Sequence, residues 1–189
     1  MWQYYKACFI NNEWNVKVIR PDGRKLMEHS YYWNRSMKLI EKILFQNAYN
    51  VFRIGDYSSM QSFVWKHEFE NEIEINYDSE FQDSDFLHRN VDRDYYLVNK
   101  SAKEFINMTK QEMKKNLQDE FGRIVHPLPL LCKAPTEDAW WDYHSDVWRE
   151  FIGRRCGDII TIYCWMWELW KALEDIWYTD MTEKLFFKE

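Results

Sequence analysis

Glycine and proline are scarce in this chain, with 5 and 4 occurrences among 189 residues. That excludes collagen-like and Gly/Pro-rich low-complexity architectures, and no Gly/Ser/Pro stretch marks a linker between domains. Cysteine is confined to Cys8, Cys132, Cys156 and Cys164. No two of them make a CxxC pair, so zinc-ribbon and thioredoxin-type spacings are absent, and a zinc site or a disulfide would have to assemble through space. The opening MWQYYKACFINNEWN lacks the apolar core of a signal peptide. No segment approaches about 20 uninterrupted apolar residues, the length of a membrane-spanning helix. The expectation is a soluble, cytoplasmic or otherwise intracellular protein with reduced thiols and no membrane partner. Walker, GxGxxG, HExxH and GxSxG motifs are also missing, and Ser58 of the GDYSS segment has no identifiable base.

Aromatic residues fill the space those absences leave: 11 Trp, 12 Tyr and 12 Phe. Most of them must pack a core, but Tyr and Trp also suit binding surfaces because each joins a large apolar body to a polar atom. The net charge is −6, with residues 1–60 and 96–133 net basic and residues 61–95 and 134–189 net acidic. Phosphate contacts need local positive potential, so nucleic acid is not an expected partner. Arg20, Arg24, Lys25, Arg35 and Lys38 are expected to form a solvated charged face.

Apolar alternation and turn residues predict one α+β domain over residues 1–189, with a mixed or antiparallel sheet and packed helices. Strands are expected within 3–10, 14–20, 49–54, 72–77, 95–99 and 158–164, the first two forming a hairpin across NNEWN. Asn34 can accept the first free backbone donors of a helix over 34–46. Ser101 and Glu104 have the spacing of a capping box, which predicts a helix over 102–119. Trp167, Trp170, Leu173 and Trp177 recur at helical spacing, predicting a core-facing helix over 166–178. Pro127 and Pro129 deny RIVHPLPLL a place as an ordinary central strand. The expected core includes Leu26, Ile40, Leu44, Phe52, Ile54, Leu97, Ile106, Leu128, Ile160, Ile162 and Trp170.

Short polar signatures stand among the bulky residues: KLMEHS at 25–30, GDYSS at 55–59, YLVNKSAKEF at 96–105, IVHPLPLLC at 124–132 and DYH at 142–144. His29, Glu28, Asp56, His126, Asp142 and His144 are the candidate catalytic residues, because histidine exchanges protons near neutral pH and a carboxylate can orient it. His126, Asp142 and His144 are expected to approach Asp56. The same set could hold a divalent metal, although no cofactor is predicted. Trp140, Trp141 and Trp148 are the candidate interaction surface, rings beside an acidic background. The leading function is an intracellular protein-binding or regulatory domain. The alternative is a small hydrolase acting on a phosphorylated or nucleotide-derived substrate through His/carboxylate chemistry. A structural role in a multiprotein assembly is a third class.

The signatures KLMEHSYYWN, VFRIGDYSS, YYLVNKSAKEF, VHPLPLLCKA, WWDYH and CGDII follow one another in an order that resembles a broad family of small proteins of unknown activity. The resemblance covers much of residues 1–160. It implies shared ancestry and carries no catalytic roles. Trp2, Trp33 and the Trp140-Trp141 pair stand where the similar proteins are expected to have small residues, mainly glycine. A cleft present in them would be reshaped or filled here.

Overall fold

The structure is a computed structural model that describes residues 5–20, 31–32, 34–45, 47–56, 58, 72–74, 94–110, 124–132, 152–165 and 169–182. Among the described residues, eight strands form one mixed sheet: β1 (Tyr5–Ile10), β2 (Val16–Arg20), β3 (Tyr49–Gly55), β4 (Glu72–Glu74), β5 (Asp94–Asn99), β6 (Glu104–Asn107), β7 (Ile159–Trp165) and β8 (Thr179–Asp180). Their order across the sheet is β4-β2-β1-β3-β7-β5-β6-β8. All neighbours are antiparallel except β2 with β4 and β6 with β8. Among the described residues, helices α1 (Arg35–Leu44), α2 (Pro127–Leu131) and α3 (Leu169–Asp175) accompany it, and residues 108–110 are also helical. The α+β architecture expected from the sequence is therefore observed.

The predicted β1–β2 hairpin forms with Ile10 opposite Val16. Its loop is built on Asn11, whose Oδ1 accepts the amides of Glu13 at 3.0 Å and Asn15 at 2.8 Å. An Asn side chain bonding the backbone just ahead is a common way to hold a turn. Helix α1 begins where expected: Asn34 Oδ1 accepts the Ser36 amide at 2.8 Å. It buries Met37, Leu39, Ile40 and Leu44 and, unusually, the carboxylate-bearing Glu41.

Apolar residues alternate onto both sheet faces. Tyr5, Ala7, Phe9, Val51, Leu97, Ile106, Ile160 and Ile162 join α1 and α2 in the main core. On the opposite face, Cys8, Val18 and Ile54 form one small cluster, and Tyr96, Val98 and Phe105 form another with Leu173 of α3. Ile40, Leu44, Ile54, Leu97, Ile106, Leu128, Ile160 and Ile162 are buried as expected, whereas Phe52 is half-buried. Leu26 and the side chain of Trp170 lie outside the described residues.

Two helix expectations need correction. Residues 104–107 are a strand paired with β5; residues 108–110 of the expected helix are helical, and residues 111–119 lie outside the described residues. The capping box at Ser101 does not form. The groups it needs are engaged elsewhere. Ser101 Oγ accepts the amide of Ile159 at 2.9 Å, and Glu104 turns to Arg155. Asn99 Oδ1 instead accepts the Ala102 amide at 3.0 Å, which tightens a β5–β6 turn with Lys103 in left-handed backbone at φ 54°. Phe105 and Ile106 face opposite cores, a period of two hidden under a helical signature.

The second correction concerns the C-terminal helix, which ends at Asp175. The Trp177 amide donates to Glu174 O and the Tyr178 amide to Leu173 O, each at 2.9 Å. This pair of bonds, with Trp177 at φ 68°, is a Schellman cap. Tyr178 packs against the cluster that holds Leu173, the apolar contact that accompanies such caps. Trp177 is thereby carried off the helix's core face and is 85% exposed.

Candidate functional site

Three places gather chemistry-bearing side chains. The first lies under α1. Tyr31 bridges to Val125, and the Tyr32 amide donates to Ile124 O at 3.3 Å, which aligns the two segments. His126 then enters the core at the start of α2, fully buried, its ring 4.7 Å from that of Tyr32. His126 Nδ1 accepts the Leu128 amide at 3.1 Å, making this histidine the N-cap of α2, while Pro127 takes the first helical position, which has no amide to satisfy. An Nδ1 that accepts a backbone N–H carries no proton, so the ring proton sits on Nε2. Nε2 is 3.1 Å from Glu41 Oε1 and donates to it. Both ring nitrogens are thus engaged, and neither is open to a substrate. This arrangement locks α2 to α1 rather than moving protons.

The second place is the seam between the two halves of the sheet. Strands β3 and β7 pair directly only at Tyr49–Ile160 and Asn50–Ile159. The contact is extended by the Gly157 amide to Val51 O at 2.8 Å and by Asn50 Nδ2 to Gly157 O at 2.8 Å. Gly157 is needed there, because its φ is +84° and a Cβ would lie 2.9 Å from Phe52 Cε1. Beyond it, Asn99 Nδ2 donates to Asp158 Oδ2 at 2.7 Å. The Arg155 guanidinium grips Glu104 with two bonds, Nε to Oε2 at 2.8 Å and Nη2 to Oε1. Amides of Gly153 and Arg155 satisfy the last carbonyls of α2, at Leu130 and Leu131. The contiguous YLVN and KSAKE signatures therefore meet CGD, although 51 to 59 residues separate the bonded pairs. A pocket lined by Asn99, Glu104, Cys132, Arg154, Arg155 and apolar neighbours opens here. It encloses about 420 Å³ when its mouth is counted, but its deep part has room for roughly one water.

Sequence reasoning missed Arg53 and Cys132, which sit at the edge of this region. Arg53 is fully buried on the main core face, opposite Ala7, and its amide donates to Cys132 O at 2.8 Å. Burial pushes the Cys132 thiol well above its ordinary value, and Cys156 and Asp158 push the same way, against the pull of Arg53 and Arg155. A thiol so held is a poor nucleophile. Cys156, with burial first and Asp158 second, is pushed up to about 11. All four cysteines are free.

The third place is the surface. Trp14, at the β1–β2 loop, is 82% exposed, and Ile176 and Trp177 are 57% and 85% exposed. Trp14 shares the left-handed backbone of Trp177, with φ 63°.

Of the residues singled out from sequence, His126 is sealed in the core and Asp56 stands half-buried in the turn after β3. His29, Glu28, Asp142, His144, Trp140, Trp141 and Trp148 lie outside the described residues, and so does their expected approach to Asp56. Among the described residues no group of three or more His, Cys, Asp or Glu side chains could hold a metal ion. Nor is any helix among them long and apolar enough to cross a membrane. No family model matches the chain, and comparison with curated proteins and with solved structures finds no match.

Proposed function

We propose that the chain is an intracellular protein-binding domain whose contact surface includes exposed tryptophans. One observation carries this reading: Trp14 and Trp177 are each more than four-fifths exposed and each occupies left-handed backbone. At such positions glycine or asparagine relieves strain of about 1–2 kcal/mol. An indole held in water there gives the fold neither burial nor easy geometry, while tryptophan is the residue type most enriched among binding hot spots. The four free thiols, two of them buried, support a reducing compartment. The alternative, a hydrolase of phosphorylated or nucleotide-derived substrates, would have to work without His126, and no observation among the described residues favours it.

The test is a Trp14→Gly/Trp177→Gly double variant. Its thermal midpoint should equal or exceed that of the parent chain, while crosslinking-assisted capture of partners falls by roughly 30-fold, the effect of removing about 2 kcal/mol of hot-spot energy. Undiminished capture by the folded variant would refute the reading.

A further inference from the structure

We infer that the face around Trp177 receives a basic segment of a partner protein, with an arginine or lysine side chain laid over the indole. This rests on the protein-binding reading and names the partner's chemistry at one part of that surface.

Two features that work against folding coincide at this spot. The first is the tryptophan itself, in left-handed backbone and 85% exposed, beside Ile176 at 57%. The second is the charge at the end of α3. Glu174 and Asp175 occupy its last turn, both exposed, and no basic residue accompanies them there. The C-terminal end of a helix carries partial negative charge from its free carbonyls, so cations belong there and carboxylates are repelled. Asp180 follows in β8, half-exposed, its Oδ1 accepting the Thr182 amide at 2.8 Å. Within 169–182 the one basic residue is Lys171, a turn before these carboxylates, and across the sheet edge Lys103 bonds Thr179 through its carbonyl, so three carboxylates face two ammonium groups around this end of the fold.

A guanidinium or ammonium group from outside reverses both penalties. The indole face attracts a cation through its quadrupole, and Trp is the strongest of the three rings in this respect. The carboxylates and the helix carbonyls supply the surrounding negative potential. An acidic or purely apolar partner would relieve only one penalty or neither. The cap fixes the backbone: the Trp177 and Tyr178 amides bond back to Glu174 and Leu173, so the main chain that carries the indole stays beside the acidic turn. The surface is thus preorganised, which lowers the ordering cost of binding.

The probes are blocked hexapeptides of arginine, lysine and glutamate, titrated into the intact chain. The readout is the indole N–H resonance of Trp177, identified by its loss in Trp177→Gly. The arginine peptide should shift that resonance to saturation, the lysine peptide should do so more weakly, and the glutamate peptide should leave it unmoved. Glu174→Lys/Asp175→Lys, two exposed changes that leave the cap in place, should weaken the arginine peptide by roughly tenfold or more. A Trp177 resonance unmoved by arginine, or shifted equally in the charge-reversed variant, would overturn the inference. Broadening with protein concentration alone would identify a second copy as the occupant and would overturn it too. The two readings fail separately: if the peptides do nothing yet Trp177→Gly still loses partner capture, only the basic partner falls.

Discussion

Replacing His126 by alanine is expected to destabilise the fold by about 3–5 kcal/mol. The magnitude follows from what the ring does. Its Nε2 lies 3.1 Å from the buried Glu41 Oε1, and a hydrogen bond to a charged acceptor contributes about 1.5–3 kcal/mol. Its Nδ1 caps α2 at Leu128, a bond whose loss costs about 1 kcal/mol. The ring also packs against Tyr32 with centroids 4.7 Å apart, and its removal leaves a cavity in a fully buried site. A domain of this size has roughly 5–15 kcal/mol in total, so the loss is a large fraction of it. Urea unfolding is the assay, with the midpoint falling and the slope unchanged. His126→Asn keeps a good cap but is too short to reach Glu41, so it should recover about 1 kcal/mol. A double-mutant cycle with Glu41→Gln should return a coupling above about 1 kcal/mol. A midpoint within about 0.5 kcal/mol of the parent would refute the structural role assigned to this histidine.

Gly157→Ala should cost about 1–2 kcal/mol, because the new Cβ meets Phe52 Cε1 at 2.9 Å and the backbone stays at φ +84°. Adding Phe52→Leu should relieve the collision but not the dihedral strain, and full rescue would refute this account of the seam. Alkaline titration should expose the buried thiols. Burial pushes Cys8 up to about 12 and Cys156 up to about 11, so between about 9 and 11 the unfolded chain has lost thiol protons that the folded chain keeps. Stability is therefore intact below about 9 and falls as pH rises through that window. Cys8→Ala should flatten the slope of the urea midpoint against pH, and an equal slope in both proteins would count against the burial argument.

Helix α1 was legible because its signals are local: Asn34 caps Ser36, and its apolar residues recur at helical spacing. Strands β1, β2, β3, β5 and β7 were legible for the same reason, each carrying its own alternation or β-branched run. What escaped was non-local. Whether Ser101 caps a helix or receives an amide from β7 is decided by Ile159, 58 residues away. Glu104 and Arg155 are separated by 51 residues, and Glu41 and His126 by 85. A Ser-x-x-Glu spacing states a local option, and tertiary partners can outbid it. The prolines around His126 signalled a restricted backbone, but a side chain that caps its own helix and pairs with another leaves no periodic trace.

The three non-glycine residues with positive φ among the described residues separate what folding explains from what it does not. Lys103 sits in the β5–β6 turn, and its carbonyl accepts the Thr179 amide at 2.9 Å, where β8 joins β6. Its exposed side chain leaves a charge in water, where charge belongs. Trp14 and Trp177 also sit in well-bonded turns, but those bonds are made by backbone and by Asn11, so glycine would serve as well. An indole of roughly 200 Å² left in water forgoes up to about 5 kcal/mol of burial. Folding thus accounts for the conformation at both positions and not for the residue. The proposed binding role would account for the residue, because a side chain carried on a well-bonded turn meets a partner with less backbone ordering. The polar groups of the interior and of the seam divide along the same line. His126, Glu41, Asn99, Glu104 and Arg155 are paired within the fold, and the large apolar side chains left exposed among the described residues are Trp14, Ile176 and Trp177.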